Sequence, residues 1–266
     1  MAAVEFAPGD GLDVAKMPGH WLLARLGKRV LRPGGLRLTT TMIDALAISR
    51  EDRVVEFAPG LGLTASLILA RLPLHYTGVE RDAAAASALS HRIAGETSEV
   101  IHRSADATDL GSESATIVCG EAILSMQTAS TKRKIVDEAF RLLRPGGRYG
   151  IHELSLVPDP VAPDVRDRIE KDLSSSIHVG ARPLTRNEWC ALLREAGFTI
   201  EASFEAPMHL LRFGRLVQDE GIGRTMTFLW NVLRDSRARR RVLEMAAVFR
   251  RHQQHLGAIA VIARRP

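Results

Sequence analysis

Apolar runs of strand length alternate with segments of helical period along most of the chain, which is typical of an α/β fold with a parallel sheet. Seven runs have the length and composition of strands: residues 53–57, 74–79, 99–102, 115–119, 148–152, 198–205 and 256–263. Helical segments separate most of the first five. About fifty residues of helical pattern separate the last two. The pattern therefore predicts an alternating α/β region followed by a helical insertion.

Start and stop signals place several helices. Two helical segments, residues 20–31 and 39–48, precede the first strand. The sequence PGG at 33–35 is expected to end the first, and Thr39 or the threonine after it to cap the second. Thr185, with a glutamate three residues later, forms a capping box that predicts a helix from residue 186.

Composition and charge exclude several classes of protein. The chain has 266 residues, 45% of them hydrophobic and 25% charged, which indicates one large or two small folded domains rather than a disordered or fibrous chain. The net charge is +5, but residues 207–266 contain twelve arginines and only four acids. Such a segment suits an anionic substrate, a lipid surface or RNA, or presents solvated helix faces.

Two cysteines without metal-ligand spacing predict neither a disulfide framework nor a metal site. No apolar run reaches the roughly 18 to 20 residues that a membrane span requires. The first twenty residues lack the pattern of a signal peptide. The sequence therefore predicts a cytoplasmic protein without a membrane span.

The most informative stretch is VVEFAPGLGLTASL at residues 54–67. Glu56 lies near the end of the first strand, and a turn of small residues follows before a helix begins. A side chain at Gly60 or Gly62 would fill the space through which a ligand approaches the backbone. The same turn also occurs for packing reasons alone.

Carboxylates follow the next strands at the positions where open α/β sheets bind ligands. Glu80 ends the second strand, and its two oxygens suit the hydroxyls of a ribose. Asp106 follows the third strand beside the backbone amide of Ala107, and Glu121 follows the fourth. This arrangement predicts a nucleoside-containing ligand.

The motif EFAPGLG, with Glu80, Asp106 and the segment EAFRLLRPGGRYGIHEL, resembles the class I S-adenosylmethionine-dependent methyltransferases that act on small molecules, the methyltransferase type 11-like group. The resemblance covers roughly residues 50–206 and the strand at 256–263. It implies a Rossmann-like three-layer αβα sandwich whose seven-stranded, mostly parallel sheet has an antiparallel last strand. It also implies S-adenosyl-L-methionine as the cofactor.

The resemblance assigns the residues of the glycine turn to the methionine part of that cofactor, Glu80 to its ribose, and Asp106 with Ala107 to its adenine. The implied cofactor-binding residues are Glu56, Ala58, Gly60, Gly62, Thr64, Glu80, Arg81, Asp106 and Ala107. The chain departs from the family at Ala58, where a glycine is usual, and at Ala115, where an acid is common. It lacks an NPPY-type motif after the fourth strand, which disfavours methylation of nucleobase or glutamine amino groups.

Methyl transfer is an in-line displacement that positioning and exclusion of water promote, and a base is needed only if the acceptor must lose a proton. His152, at the end of the fifth strand, is the candidate base; a purely structural imidazole is the alternative. Glu121 is the second catalytic candidate, with cofactor contact or helix capping as alternatives. The candidates for contact with the substrate are His20, Met126, Gln127 and His178.

The helical block between the last two strands is too apolar for a solvated insertion, so it is expected to form a lid over the acceptor or a dimer contact. Four segments follow: an N-terminal helical region at 1–50, a cofactor-binding core at 51–206, the helical insertion at 207–255 and the last strand at 256–266.

Two other functions stay open at this point. A nicotinamide-dependent oxidoreductase has a similar glycine turn, but here two helices precede the turn and no obvious substrate domain follows. A non-catalytic nucleotide- or RNA-binding module would use the basic C-terminal block, yet periodicity assigns Phe228, Trp230 and Phe249 to the core rather than to base stacking. We therefore expect a small-molecule acceptor and no nucleic acid partner, with a homodimer as an open alternative.

Overall fold

The α/β alternation predicted from the sequence forms one sheet with helices on both faces. The computed structural model describes residues 11–208, 210–211 and 213–266. The strands are β1 Arg53–Phe57, β2 His75–Glu80, β3 Ser98–His102, β4 Ala115–Glu121, β5 Leu143–Leu156, β6 Leu184–Thr185, β7 Thr199–Pro207 and β8 Leu256–Arg264. The helices are α1 Gly19–Arg25, α2 Gly35–Leu46, α3 Leu63–Leu69, α4 Ala83–Ile93, α5 Ala129–Leu142, α6 Pro163–Ile177, α7 Arg186–Glu195, α8 Phe213–Arg234 and α9 Ser236–Arg251. A short 3₁₀ turn, Leu124–Met126, follows β4.

The strands of the sheet lie in the order β3-β2-β1-β4-β5-β8-β7. The first five pair in parallel, whereas β8 runs antiparallel to both β5 and β7. This confirms a mostly parallel sheet with an antiparallel last strand. The number of strands differs from the expected seven, because the two-residue strand β6 pairs with Ser155 and Leu156. These two residues lie beyond residue 152, where the fifth strand was expected to end.

Two helical layers cover the sheet and bury its faces. Val136 of α5 and Trp189 of α7 belong to the core on one face. Met42 of α2, Ile68 of α3 and Leu89 of α4 belong to the core on the other. All five side chains are almost completely buried. Since parallel strands require cover on both faces, this packing accounts for the continuous apolar runs in the sequence.

A third core lies outside the sandwich and joins the two ends of the chain. Leu23 of α1, Phe228 of α8 and Met245 of α9 pack in one buried cluster. We call these three helices the α1–α8–α9 cluster. Its segments are distant in sequence: Glu220 of α8 accepts a hydrogen bond from the amide of Val30, which lies 190 residues away along the chain. The N-terminal helices and the insertion between β7 and β8 are therefore packed together.

The boundaries of the two N-terminal helices differ from the prediction. Helix α1 ends at Arg25 instead of residue 31, because the backbone turns at Gly27 with φ of +104°. Helix α2 begins at Gly35, so the prediction that Thr39 or Thr40 caps it was wrong. Thr39 lies inside α2, is fully buried, and donates its hydroxyl to a carboxylate at the end of β4. The hydroxyl of Thr39, which the sequence suggested as a helix cap, thus contacts the carboxylate of Glu121 instead.

Candidate active site

The turn between β1 and α3 uses two glycines for different reasons. Ala58, Gly60 and Gly62 all have positive φ, and the Ala58 amide donates to the Val79 carbonyl at 2.8 Å. A Cβ placed on Gly60 would meet no atom closer than 3.9 Å, so the space beside this residue is open. A Cβ on Gly62 would collide with Leu89 of α4. Gly60 therefore leaves room for a ligand, whereas Gly62 permits close helix packing.

Glu80 is fixed against this turn by two backbone amides. Its Oε2 accepts from Gly60 N at 3.0 Å, and its Oε1 accepts from Asp82 N at 2.9 Å. Each carboxylate oxygen can accept a second hydrogen bond, so the group can still receive two donors. The neighbouring Arg81 side chain is exposed, and its carbonyl contacts the ring of His102 at 3.0 Å.

The loop after β3 contributes a carboxylate at the same edge of the sheet. The hydroxyl of Ser104 donates to Asp106 Oδ1, and the Ala107 amide donates to the Ser104 carbonyl at 3.1 Å. Asp106 is half-buried and Ala107 is exposed. The amide of Ala107 is thus already used within the loop, while Asp106 keeps oxygens free to accept.

Glu56, at the end of β1, is buried among other acids. The Tyr76 hydroxyl donates to its Oε2 at 2.7 Å. Burial raises the pKa of Glu56 to about 8; the hydrogen bond from Tyr76 opposes this shift, and the negative charge of Glu121 adds to it. The carboxyl is therefore mostly protonated at neutral pH.

Glu121, at the end of β4, accepts four side-chain donors. Thr64 Oγ1 donates to Oε1 at 2.7 Å. Thr39 Oγ1 at 2.6 Å, His152 Nδ1 at 2.9 Å and Arg32 Nε at 3.0 Å all approach Oε2. Burial alone would raise the pKa of Glu121, but Arg32 and His152 outweigh it and hold the pKa at about 2. The group is therefore a buried, charge-balanced carboxylate.

His152 is fully buried, and both of its ring nitrogens are engaged. Nδ1 faces Glu121, and Nε2 accepts from the Gly34 amide at 3.1 Å. These partners assign a neutral ring with the proton on Nδ1. A Cβ on Gly34 would come within 2.7 Å of Nε2, so a glycine is needed there. In this arrangement His152 positions Glu121 and the loop before α2, and it has no free nitrogen to accept a proton from an acceptor.

Glu153 lies on the other side of β5 and holds the 3₁₀ turn. Its Oε1 accepts from the amides of Ile123 and Leu124 at 3.0 and 2.8 Å, and its Oε2 accepts from the amide and the hydroxyl of Ser125 at 3.0 and 2.6 Å. Burial raises the pKa of Glu153, and these hydrogen bonds oppose the shift. The turn that carries Met126 is therefore anchored to the sheet.

An apolar pocket lies beyond the ends of β4 and β5, between the sheet and the α1–α8–α9 cluster. Its lining side chains are predominantly aliphatic, aromatic or thioether groups. The lining residues are Gly19, His20, Leu23, Leu31, Pro33, Ala122, Ser125, Met126, Leu154, Leu173, Ile177, Ala181, Met208, Leu210, Met245 and Phe249. His20 is the titratable member of this set; burial lowers its pKa to about 4, although Asp82 opposes the shift. The imidazole is therefore neutral at physiological pH.

The structure brings some of the predicted substrate residues to this pocket and leaves others outside. His20 and Met126 line it. Gln127 is half-buried beside it, and its amide nitrogen contacts the Ile123 carbonyl at 3.4 Å. His178 is exposed at the C-terminal end of α6, and the preceding Ile177 takes the place in the lining.

The sequence analysis did not identify site residues that are distant along the chain from the groups they contact. Arg32 and Gly34 belong to a segment that was interpreted only as a helix stop, yet they contact Glu121 and His152. Tyr76 was not connected with Glu56. The available signal was weak: an arginine before a Pro-Gly-Gly turn carries no information about its distant partner.

Comparisons with known proteins find a methyltransferase domain in the chain. A family model described as a methyltransferase domain matches residues 54–147, from β1 to the first part of β5. The chain is 30% identical over 142 residues to a demethylmenaquinone methyltransferase of Clavibacter sepedonicus. The alignment covers 53% of this chain and 56% of that protein. The chain therefore contains a methyltransferase domain, and it is similar to the class I S-adenosylmethionine-dependent methyltransferases.

This methyltransferase has a relative along nearly its whole length. It is 33% identical over 251 residues to an uncharacterized protein of Haemophilus influenzae, covering 93% of this chain and 98% of that protein. Its fold is similar to that of an N-methyltransferase of Haemonchus contortus solved with phosphomonomethylethanolamine and S-adenosylhomocysteine, with a TM-score of 0.69, 14% identity, and coverage of 93% of this chain and 57% of the other.

Proposed function

We propose that this methyltransferase transfers a methyl group from S-adenosylmethionine to a small, largely apolar acceptor. The observation that carries the proposal is the position of Glu80, held by two backbone amides against a turn with open space at Gly60. A carboxylate in this setting suits the two hydroxyls of a ribose. The charge and hydrogen-bonding capacity of the site therefore fit an adenosyl ligand.

The remaining cofactor contacts follow from the same edge of the sheet. We assign Glu56, Ala58, Gly60, Gly62 and Thr64 to the methionine part, with Gly62 acting through packing. Glu80 and Arg81 would surround the ribose, and Asp106 with Ala107 would lie beside the adenine. The neutral Glu56 carboxyl and the Glu121 carboxylate give this end of the site groups that suit a cationic ligand.

We place the acceptor in the apolar pocket, because its lining offers few partners for charged groups. A pocket of this composition favours an acceptor whose bulk is hydrocarbon. His20, neutral and facing the pocket, is the group that we assign to orient the acceptor or to receive its proton. Met126 contributes apolar contact, and Gln127 and His178 are peripheral candidates.

Bound S-adenosylmethionine supplies a methyl group attached to a positively charged sulfur. The chain contributes positioning and exclusion of water. Glu121 provides negative charge beside the site, and Arg32 and His152 hold that carboxylate in place. We therefore propose that Glu121 contacts the reacting groups and that His152 acts as a positioning residue.

The packing also supports the assignment of cofactor binding and acceptor binding to different segments of the chain. We propose that residues 51–206 and 256–266 form the cofactor-binding core, and that residues 1–50 and 207–255 together cover the acceptor. The contact of Glu220 with the backbone at Arg29 and Val30 supports this pairing of distant segments.

Calorimetric titration with S-adenosylmethionine, S-adenosylhomocysteine and NADH tests the proposal. We expect the two adenosyl ligands to bind and Glu80→Ala to weaken them about 30-fold or more, since roughly two hydrogen bonds to a charged group are lost. Glu80→Gln should lose less, and the exposed Glu51→Ala should match the unmodified protein. Binding of NADH alone would favour the oxidoreductase alternative, and no binding of any of the three would contradict the proposal.

A further inference from the structure

Helix α8 carries a second apolar face, on the side away from its buried core contacts. Phe228 and Val232 are buried in the α1–α8–α9 cluster. In the part of the helix after Gly221, four other apolar side chains are more than half exposed. These are Ile222 at 72%, Met226 at 56%, Trp230 at 59% and Leu233 at 60%. Their spacing of four, four and three residues places them on one stripe, which we call the α8 stripe.

Positive charge borders this stripe. Residues 222–251 contain eight arginines and only two acids; of the arginines, Arg241 is buried and Arg251 pairs with Asp172. The guanidinium of Arg234 lies over the ring of Trp230, 5.7 Å from its centroid. Arg239 donates to the Leu233 carbonyl at 3.1 Å. One of the two acids, Asp235, is used as the N-cap of α9. The stripe therefore combines exposed apolar groups with a basic border that has little acidic compensation.

We propose that the α8 stripe docks onto the surface of an anionic lipid bilayer. Apolar side chains along one helix face can enter the boundary between headgroups and acyl chains, and arginines beside them bind lipid phosphates. A tryptophan is suited to this interface because its ring is apolar and its N–H is polar. Docking of this kind is peripheral, and none of the helices within residues 11–208 and 213–266 combines the length and apolar character that crossing a bilayer requires.

Charge favours a lipid surface over a second copy of the chain. A two-fold contact through the α8 stripe would place the arginines that border it, Arg224, Arg234 and Arg239, against the same border of the second copy, which is repulsive without acids to separate them. An RNA would satisfy the arginines but would leave the apolar stripe without a suitable partner. An anionic bilayer satisfies both features, and this conclusion does not depend on the proposed methyl transfer.

Sedimentation with vesicles tests the proposal directly. The full chain is mixed with phosphatidylcholine vesicles, with or without phosphatidylglycerol, at low and high salt. We expect pelleting with the anionic vesicles, and we expect it to weaken as salt screens the arginines. Tryptophan emission should shift to shorter wavelength on binding. The shift should largely vanish in Trp230→Phe while pelleting persists, because Trp189 is fully buried and Trp21 is partly buried against the α1–α8–α9 cluster.

Variants separate the apolar and basic contributions. Met226→Gln with Trp230→Gln, and separately Arg234→Gln with Arg239→Gln, should each weaken vesicle binding about tenfold or more. One matched control is Leu74→Gln, at an exposed apolar position just before β2. The other is Arg50→Gln with Arg53→Gln, two exposed arginines before and at the start of β1. The controls should bind vesicles normally, and thermal unfolding should show that all variants are folded.

Three results would overturn the proposal. The first is the absence of pelleting with anionic vesicles at low salt. The second is unchanged binding when the stripe or its arginines are altered. The third is a dimer, seen by analytical ultracentrifugation, that Trp230→Gln converts to a monomer, since the stripe would then be an interface between copies of the chain.

Discussion

The cofactor half of the site and the α1–α8–α9 cluster are built in opposite ways. In the first, Glu56 meets Tyr76 and Gly60 meets Glu80, each pair 20 residues apart along the chain. In the second, the Arg241 side chain contacts the carbonyl of Met17, 224 residues away. The first is organised by neighbouring strand ends, whereas the second depends on buried charged groups that hold distant segments. Changes in the α1–α8–α9 cluster can therefore alter acceptor specificity while the cofactor half of the site stays the same.

The two regions meet at Glu121. Thr64 reaches this carboxylate from the glycine turn, and Arg32 reaches it from the loop that follows α1. That loop is held in turn by α8, since Glu220 accepts from the amides of Arg29 and Val30. Asp219 of α8 also accepts from the Leu36 amide in the first turn of α2, at 3.1 Å. A change in the cluster can therefore alter the polar groups beside the reacting centre.

The largest expected effect comes from detaching α8 from the loop after α1. Glu220 accepts the amides of Arg29 and Val30 at 2.7 Å each and lies 3.6 Å from the buried Nζ of Lys28. Glu220→Ala leaves that ammonium without its partner, which costs about 3–5 kcal/mol of unfolding free energy. Chemical denaturation measures the loss.

Two further variants test whether the unpaired charge causes this loss of stability. Lys28→Met combined with Glu220→Gln should recover most of the stability, because the unpaired charge is gone. The exposed Glu244→Ala on α9 should have little effect. A loss below about 1 kcal/mol for Glu220→Ala would mean that the cluster does not depend on this ion pair.

The cofactor half should respond to pH through Glu56. Its folded pKa of about 8 lies above the unfolded value of 4.5, so the folded state binds the proton more tightly. The stabilisation is complete below pH 4.5 and is lost as the pH rises through 8, with a slope of up to about 1.4 kcal/mol per pH unit. Unfolding measured from pH 5 to 8 should show this slope, and Glu56→Gln should remove most of it. An unchanged slope in the variant would assign it to another group.

A charge in the pocket should separate acceptor binding from cofactor binding. We expect the uncharged fluorophore N-phenyl-1-naphthylamine to bind the pocket, and Met126→Lys to weaken it about tenfold because an ammonium enters an apolar lining. The affinity for S-adenosylhomocysteine should change by less than about twofold. Trp230→Gln serves as the control for binding at the surface. An equal loss of affinity for both ligands would show that the pocket and the cofactor half of the site do not bind independently.

The smallest expected effect concerns the break within α8. Gly221 has φ of +77° and ψ of 166°, a conformation that is essentially restricted to glycine. Gly221→Ala should cost about 1 kcal/mol through backbone strain, since no atom lies within 4 Å of the added Cβ. Gly223→Ala, two residues later within the helix and also without near neighbours, should be neutral or stabilising. Thermal unfolding compares the pair, and equal effects would contradict the role of the break.

Local features of the molecule were determined by the sequence alone. The strand Arg53–Phe57, the capping box of Thr185 with Glu188, and the antiparallel strand at the end of the chain all agree with the structure. The sequence also placed Glu80 at a strand end beside the glycine turn. These features follow from periodicity, capping and backbone conformation, which act between residues close in the chain. The roles of the site residues in binding and catalysis stay predictions.

Contacts between distant segments were decided only by the tertiary structure. His152 was the candidate base, with a structural imidazole as the alternative; in the structure the Gly34 amide, 118 residues away, donates to its Nε2. Thr39 was interpreted as a cap, but its hydroxyl faces Glu121. Trp230 was assigned to the core, but its side chain is 59% exposed, because only one face of α8 packs against α1 and α9. Periodicity reports that a face is apolar, whereas which distant segment covers it, or leaves it exposed, depends on how the whole chain packs.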